Sequence, residues 1–152
     1  MIDHHPEQTT YWERVSESRW GAYITERERI ALTYALDRLP LGTALEVGCE
    51  GGRWSTVVRD HGWDVVCTDV DAKSLARCAE RIPSARCVQV SSTDETLPVA
   101  TGEVALLLVY EVNEVVESSW FPREAARALR PGGMLVCSYW NCLLYTSDAA
   151  DE

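Results

Sequence analysis

The apolar positions of the chain change period partway along it. From Tyr11 to Leu39 they recur mostly by threes and fours: Trp12, Val15, Trp20, Tyr23 and Ile24, then Leu32, Ala35, Leu36 and Leu39. The last four fall at i, i+3, i+4 and i+7, one face of a helix. The stretch predicts two helices broken near Gly21, with a charged run from Glu26 to Arg29 in the second and Pro40 and Gly42 ending it. Beyond Gly42, short apolar runs alternate with amphipathic stretches. Strands are expected at 43–47, 64–68, 86–90, 103–110 and 134–139. Helices are expected at 51–61, at 72–81, and from Pro122, which a first turn tolerates, to about Leu129. Pro131-Gly132-Gly133 reads as a turn before the last strand. Apolar strands alternating with helices imply an α/β fold, with parallel pairing and helices on both faces of the sheet.

The segment richest in chemistry runs from Ala44 to Trp54: a strand, a glycine-rich turn and the start of a helix. Such a turn surrounds a ligand with backbone N–H groups, and glycine lets the backbone come close. A dinucleotide fingerprint needs G-x-G-x-x-G. Counted from Gly48, the second and third glycine positions hold Glu50 and Arg53. A carboxylate where a pyrophosphate should sit is electrostatically poor, whereas Glu46 and Glu50 suit a ligand with positive charge. An ordinary strand-to-helix turn without a ligand is the alternative.

Composition narrows the classes. The chain has 152 residues, 46% apolar and 25% charged, which suits one globular domain rather than disorder. The longest purely apolar stretch, Val104 to Tyr110, is far short of the roughly 20 residues of a spanning helix. The first twenty residues carry no apolar leader, so a cytoplasmic protein without a membrane partner is expected. The net charge is −10 and Lys73 is the only lysine, so no nucleic-acid partner is expected. Six cysteines include no C-x-x-C pair. They are expected to be reduced, with Cys67, Cys87 and Cys137 as small buried hydrophobes and no metal site.

With these residues in view, the sequence resembles the class I S-adenosylmethionine-dependent methyltransferases. Their first motif is an acid, one residue, then G-x-G-x-G. Glu46, Gly48 and Gly52 match it, and Glu50 replaces the middle glycine beside Gly51. Asp69, at the end of the second strand, stands where the family's acid binds the ribose hydroxyls, with Val70 next to it. Asp71 reads as the N-cap of the following helix. Asp94, in Ser92 to Pro98, stands near the place of an acid beside the adenine. Ala105 occupies the place of the family's frequent aspartate before the fourth strand, so that feature is absent. Arg123 to Gly133 resembles the helix and turn leading into the fifth strand.

The resemblance implies a Rossmann-like, doubly wound, mostly parallel sheet of order 3-2-1-4-5, without the usual sixth and seventh strands. It implies S-adenosylmethionine as cofactor, held by Glu46, Gly48, Cys49, Glu50, Gly52, Asp69, Val70 and Asp94. The acceptor would be a small or lipid-like molecule, met at the carboxyl ends of strands one and four. There Glu111 and Tyr110 are the catalytic candidates, with Asn113 nearby. Tyr11, Trp12, Trp20 and Tyr23 would form a lid or simply pack on the sheet edge. A nicotinamide-dependent oxidoreductase or epimerase is disfavoured by the glycine spacing, and a non-catalytic cofactor-binding fragment is the third reading. Residues 1–40 are expected as a helical cap and 41–141 as the core. Residues 142–152 do not resemble the family's next element. They resemble a translated sequencing adapter, which implies a chain truncated after its fifth strand.

Overall fold

The structure, a computed structural model, describes residues 9–139; the tail at 142–152 lies outside them. Two helices, α1 (Tyr11–Val15) and α2 (Arg19–Leu36), precede a five-stranded sheet. Its strands are β1 (Thr43–Val47), β2 (Asp64–Asp69), β3 (Arg86–Gln89), β4 (Val104–Val109) and β5 (Leu129–Cys137). They lie in the order β3-β2-β1-β4-β5, every pair parallel, as the resemblance implied. Helix α3 (Arg53–Asp60) links β1 to β2 and α4 (Ala72–Arg81) links β2 to β3. Helices α5 (Asn113–Val116) and α6 (Phe121–Ala128) link β4 to β5. Asp71 caps α4 as expected, accepting the Ser74 N–H at 2.9 Å.

Strand β4 is buried at all six positions, which is why it reads as an unbroken apolar run. Alternation along the strands divides the core into two layers. Ala44, Cys67, Leu106 and Leu108 face Leu32, Trp54, Val58, Leu75 and Ile82 of α2, α3 and the α4 end. Leu45, Val66, Leu107 and Val109 face Leu97, Phe121, Ala125 and Ala128 on the other side. No helix among the described residues is long and apolar enough to cross a membrane.

Several expectations need correction. The helical break falls at 16–18, ahead of Gly21. Ser18 caps α2 by accepting the Gly21 N–H at 3.0 Å. Gly21 sits inside the first turn of α2, where a Cβ would stand 1.9 Å from the Val15 carbonyl oxygen. Its role is to let α1 fold back closely, and not to end a helix. Pro131-Gly132-Gly133 lies within β5 as an irregularity. Pairing jumps from Val104↔Leu129 to Leu106↔Met134, and Gly132 takes φ +79°. Helix α3 starts at Arg53, because Gly52 is its left-handed N-cap. The short α5 had no periodic signal. Of the three cysteines expected inside, Cys67 is buried, Cys87 half-buried and Cys137 exposed.

Candidate cofactor and acceptor site

The β1–α3 loop owes its course to three left-handed residues in five. Gly48, Glu50 and Gly52 have φ of +72°, +50° and +76°. At Gly48 a Cβ would come within 2.5 Å of Val112 Cγ2, and at Gly52 within 2.8 Å of Cys78 Sγ. Both therefore have to be glycine. Glu50 takes the conformation of the glycine it replaces, at a cost of about 1–2 kcal/mol. Its Oε1 accepts the Trp12 N–H at 3.2 Å, which ties α1 to the loop. The Gly48 and Cys49 N–H groups both donate to the Thr68 carbonyl at 2.9 Å, anchoring the loop to β2.

Asp69 stands beside this loop. Its Oδ2 accepts the Glu50 N–H at 2.7 Å and its Oδ1 accepts the Asp71 N–H at 2.9 Å. An ionised carboxylate has about four acceptor sites, so it keeps capacity for ligand hydroxyls. Exposed Val70 follows it. The Gly48, Cys49, Glu50 and Gly52 N–H groups are all engaged within the protein, so what the site offers a nucleoside-bearing cofactor is close approach to the loop and the remaining acceptor capacity of Asp69. Asp94 spends its carboxylate on its own turn, accepting the Ser91 N–H at 2.7 Å. The structure does not bring it to the cavity described next.

A cavity of about 20 Å³ opens at the loop, lined by Trp12, Glu46, Gly48, Glu50, Tyr110 and Glu111 among others. That is room for about one water, because Trp12 and α1 lie across it. Trp12 alone of the four candidate lid aromatics faces it; Tyr11, Trp20 and Tyr23 are exposed.

Glu46 is buried, and the Ser55 hydroxyl donates to its Oε2. Burial pushes its carboxyl up to about 8, against the opposing pull of the Ser55 hydrogen bond. At neutral pH it is held mostly protonated, so it offers little charge to a cation, contrary to the sequence-based expectation. Tyr110 is buried and its hydroxyl donates to the Glu28 carbonyl at 2.7 Å, which engages that proton structurally. Glu111 lines the cavity at a left-handed φ of +57°, and its N–H donates to Ser138 Oγ at 2.6 Å. Strained non-glycine residues of this kind gather at functional sites.

Two residues of the site escaped sequence reasoning. Glu28 is 4% exposed in α2. Its Oε2 accepts from Arg53 Nη2 and from Trp54 Nε1, both at 3.1 Å, while its Oε1 is buried without a partner. Burial pushes it up to about 7, partly offset by Arg53 and reinforced by Glu111. Arg53 also donates to Thr25 Oγ1 at 3.0 Å and lies over the Trp54 ring. The signal for Glu28 was its spacing. It stands four residues before Leu32 and seven before Ala35, on the apolar face of α2, yet inside a run of charges.

Comparison with known proteins agrees with this picture. The sequence model of the methyltransferase domain family matches residues 45–137. A 2-methyl-6-phytyl-1,4-hydroquinone methyltransferase of Synechocystis is 28% identical over 111 residues, covering 70% of this chain and 35% of that protein. A probable S-adenosylmethionine-dependent methyltransferase of Mycobacterium tuberculosis is 26% identical over 128 residues, covering 82% and 45%. A solved geranyl diphosphate methyltransferase, in complex with GPP and sinefungin, shares the fold with a TM-score of 0.60 at 23% identity, covering 72% and 43%. The chain thus spans less than half the length of these curated relatives.

Proposed function

Since the chain belongs to the methyltransferase domain family, we propose that it binds S-adenosylmethionine on the β1–α3 loop and serves methyl transfer to a small or lipid-like acceptor. The observation that carries this reading is the loop itself, three left-handed residues in five with the Asp69 carboxylate bonded alongside. The cofactor supplies an electrophilic methyl group on a sulfonium. The chain's own part is to bind, orient and exclude water. Gly48 and Gly52 give backbone access, with Cys49 and Glu50 between them. Asp69 accepts the ribose hydroxyls, and Val70 offers an apolar surface to the adenine. Glu46 closes the floor of the cavity as a neutral acid. Asp94 reaches the adenine only if its turn at Ser91 opens.

The acceptor side is the crevice of Trp12, Tyr110 and Glu111 at the carboxyl ends of β1 and β4, where α/β sheets bind ligands. Glu111 takes the acceptor's proton where one must be lost. The hydroquinone substrate in the name of the Synechocystis relative makes a quinol the first acceptor class to try. Residues 1–40 act as the cap that closes this crevice, and 41–141 as the core.

Binding calorimetry tests the cofactor reading. S-adenosylmethionine and S-adenosylhomocysteine should bind, and Asp69→Ala and Gly48→Val should each weaken binding by at least about tenfold, roughly 1.4 kcal/mol. Preferential binding of NADH would overturn it.

A further inference from the structure

The cysteines are too widely spaced for a paired-ligand motif, yet the fold gathers three of them. Cys49 follows the first glycine of the loop, Cys67 stands on β2 and Cys78 on α4. Their sulfurs all lie within 4.8 Å of one another. All three residues are at most 2% exposed. The cluster sits directly behind the loop. A Cβ at Gly52 would stand 2.8 Å from Cys78 Sγ, and the Cys49 thiol donates to the Glu50 carbonyl at 3.6 Å.

We propose that Cys49, Cys67 and Cys78 form a binding site for a soft, closed-shell metal ion, zinc(II) or copper(I), held through sulfur. Metal–sulfur bonds of about 2.3 Å place ligating sulfurs roughly 3.8–4.0 Å apart. The three thiols therefore need to close by no more than about 1 Å. An all-sulfur donor set selects such ions over magnesium or calcium, which want oxygen. A hydroxyl lies against one of the sulfurs, accepting from the Cys67 thiol. Cys67 Sγ and Ser55 Oγ are 3.1 Å apart, and Ser55 is bonded in turn to Glu46. Cys87 pairs in register with Cys67 across β2 and β3.

Each thiol that ligates gives its proton to solvent, so zinc(II) on three thiolates carries net charge −1. A bound ion would join the loop to β2 and α4 at one point. Small buried cysteines are often only packing. What sets this group apart is the convergence of three buried thiols from three separate elements.

The test uses the full chain, reduced and kept from air, titrated with cadmium(II) as an ultraviolet probe of sulfur ligation. One ion per chain should bind, with a sulfur-to-metal charge-transfer band and a raised melting temperature. Cys67→Ser and Cys78→Ser should each weaken binding at least about tenfold, while Cys137→Ser on exposed β5 should bind as the parent does. Circular dichroism of the metal-free variants checks that they fold. Should Cys67→Ser fail to fold, Cys49→Ala carries the same expectation. Displacement of cadmium by zinc(II) marks a divalent site, and displacement by copper(I) alone a monovalent one; either supports the proposal. Absence of the band, or a band that persists in Cys67→Ser and Cys78→Ser, would overturn it. None of these readouts needs a methyl donor, so the outcome stands apart from the cofactor reading.

Discussion

The two faces of the sheet treat a buried carboxyl in opposite ways. On the face covered by α6, Glu124 is fully matched. It accepts the Leu97 N–H at 3.0 Å and several bonds from Arg127, whose guanidinium also caps the Leu97 and Val99 carbonyls. Those Arg127 bonds hold its carboxyl below the usual range. On the face covered by α2 and α3, Glu28 is buried with one oxygen unpartnered and Glu46 is buried against Ser55, and desolvation pushes both upward. One layer is hydrocarbon clamped by a satisfied ion pair. The other holds an unpaired carboxylate oxygen, neutral acids and the thiol cluster. Under-satisfied groups of this kind are what a reactive site needs and what a stable core avoids.

If that division is correct, the largest loss of stability comes from the hydrocarbon layer. Leu107→Ala should cost about 2–5 kcal/mol, read as a lower urea midpoint, while the fraction that stays folded keeps its cofactor affinity. Next comes Glu28, whose folded pKa of about 7 lies above the unfolded value. Its stabilising contribution is complete below about pH 4.3, the unfolded value. It is lost as pH rises through 7. Glu28→Gln should lessen that decline in a series of melts from pH 4 to 8, leaving the part that Glu46, pushed up to about 8, contributes over the same range; a decline that survives unchanged would place the titration elsewhere. Glu124 has the opposite sign. Its lowered pKa gives stability that is present above the unfolded value and lost as the solution is acidified below it. Glu124→Gln should reduce stability at neutral pH, by about 1–3 kcal/mol for the disturbed buried bonds, and should flatten the acid limb. The smallest effect is expected at Glu50. Glu50→Gly relieves a left-handed residue but removes the bond to Trp12, so thermal melts should move by the equivalent of about 1 kcal/mol or less.

Much of the scaffold was legible because local pattern and global fold agree. The unbroken apolar run of β4 and the valines of β2 could only be buried strands. Gly48 and Gly52 marked the loop, and a Cβ at either would collide with Val112 or Cys78. What escaped depends on distant partners. The charge of Glu28 hid its position on a buried face until Arg53 and Trp54 were placed against it. The thiols converge from the first loop, β2 and α4, a meeting that no sequence spacing announces. Gly21 drew notice as a helix breaker, but its task was set by the Val15 carbonyl folding back upon it.

The sheet order has a consequence for how the chain finds its shape. Strand β1 meets β2 across the single helix α3, but its other neighbour, β4, lies about sixty residues further along, a long loop to close before any contact is rewarded. The β1-β2-β3 half can assemble early from near neighbours, with its loop and thiols in place. The crevice beside β4 is complete only once that distant strand has docked.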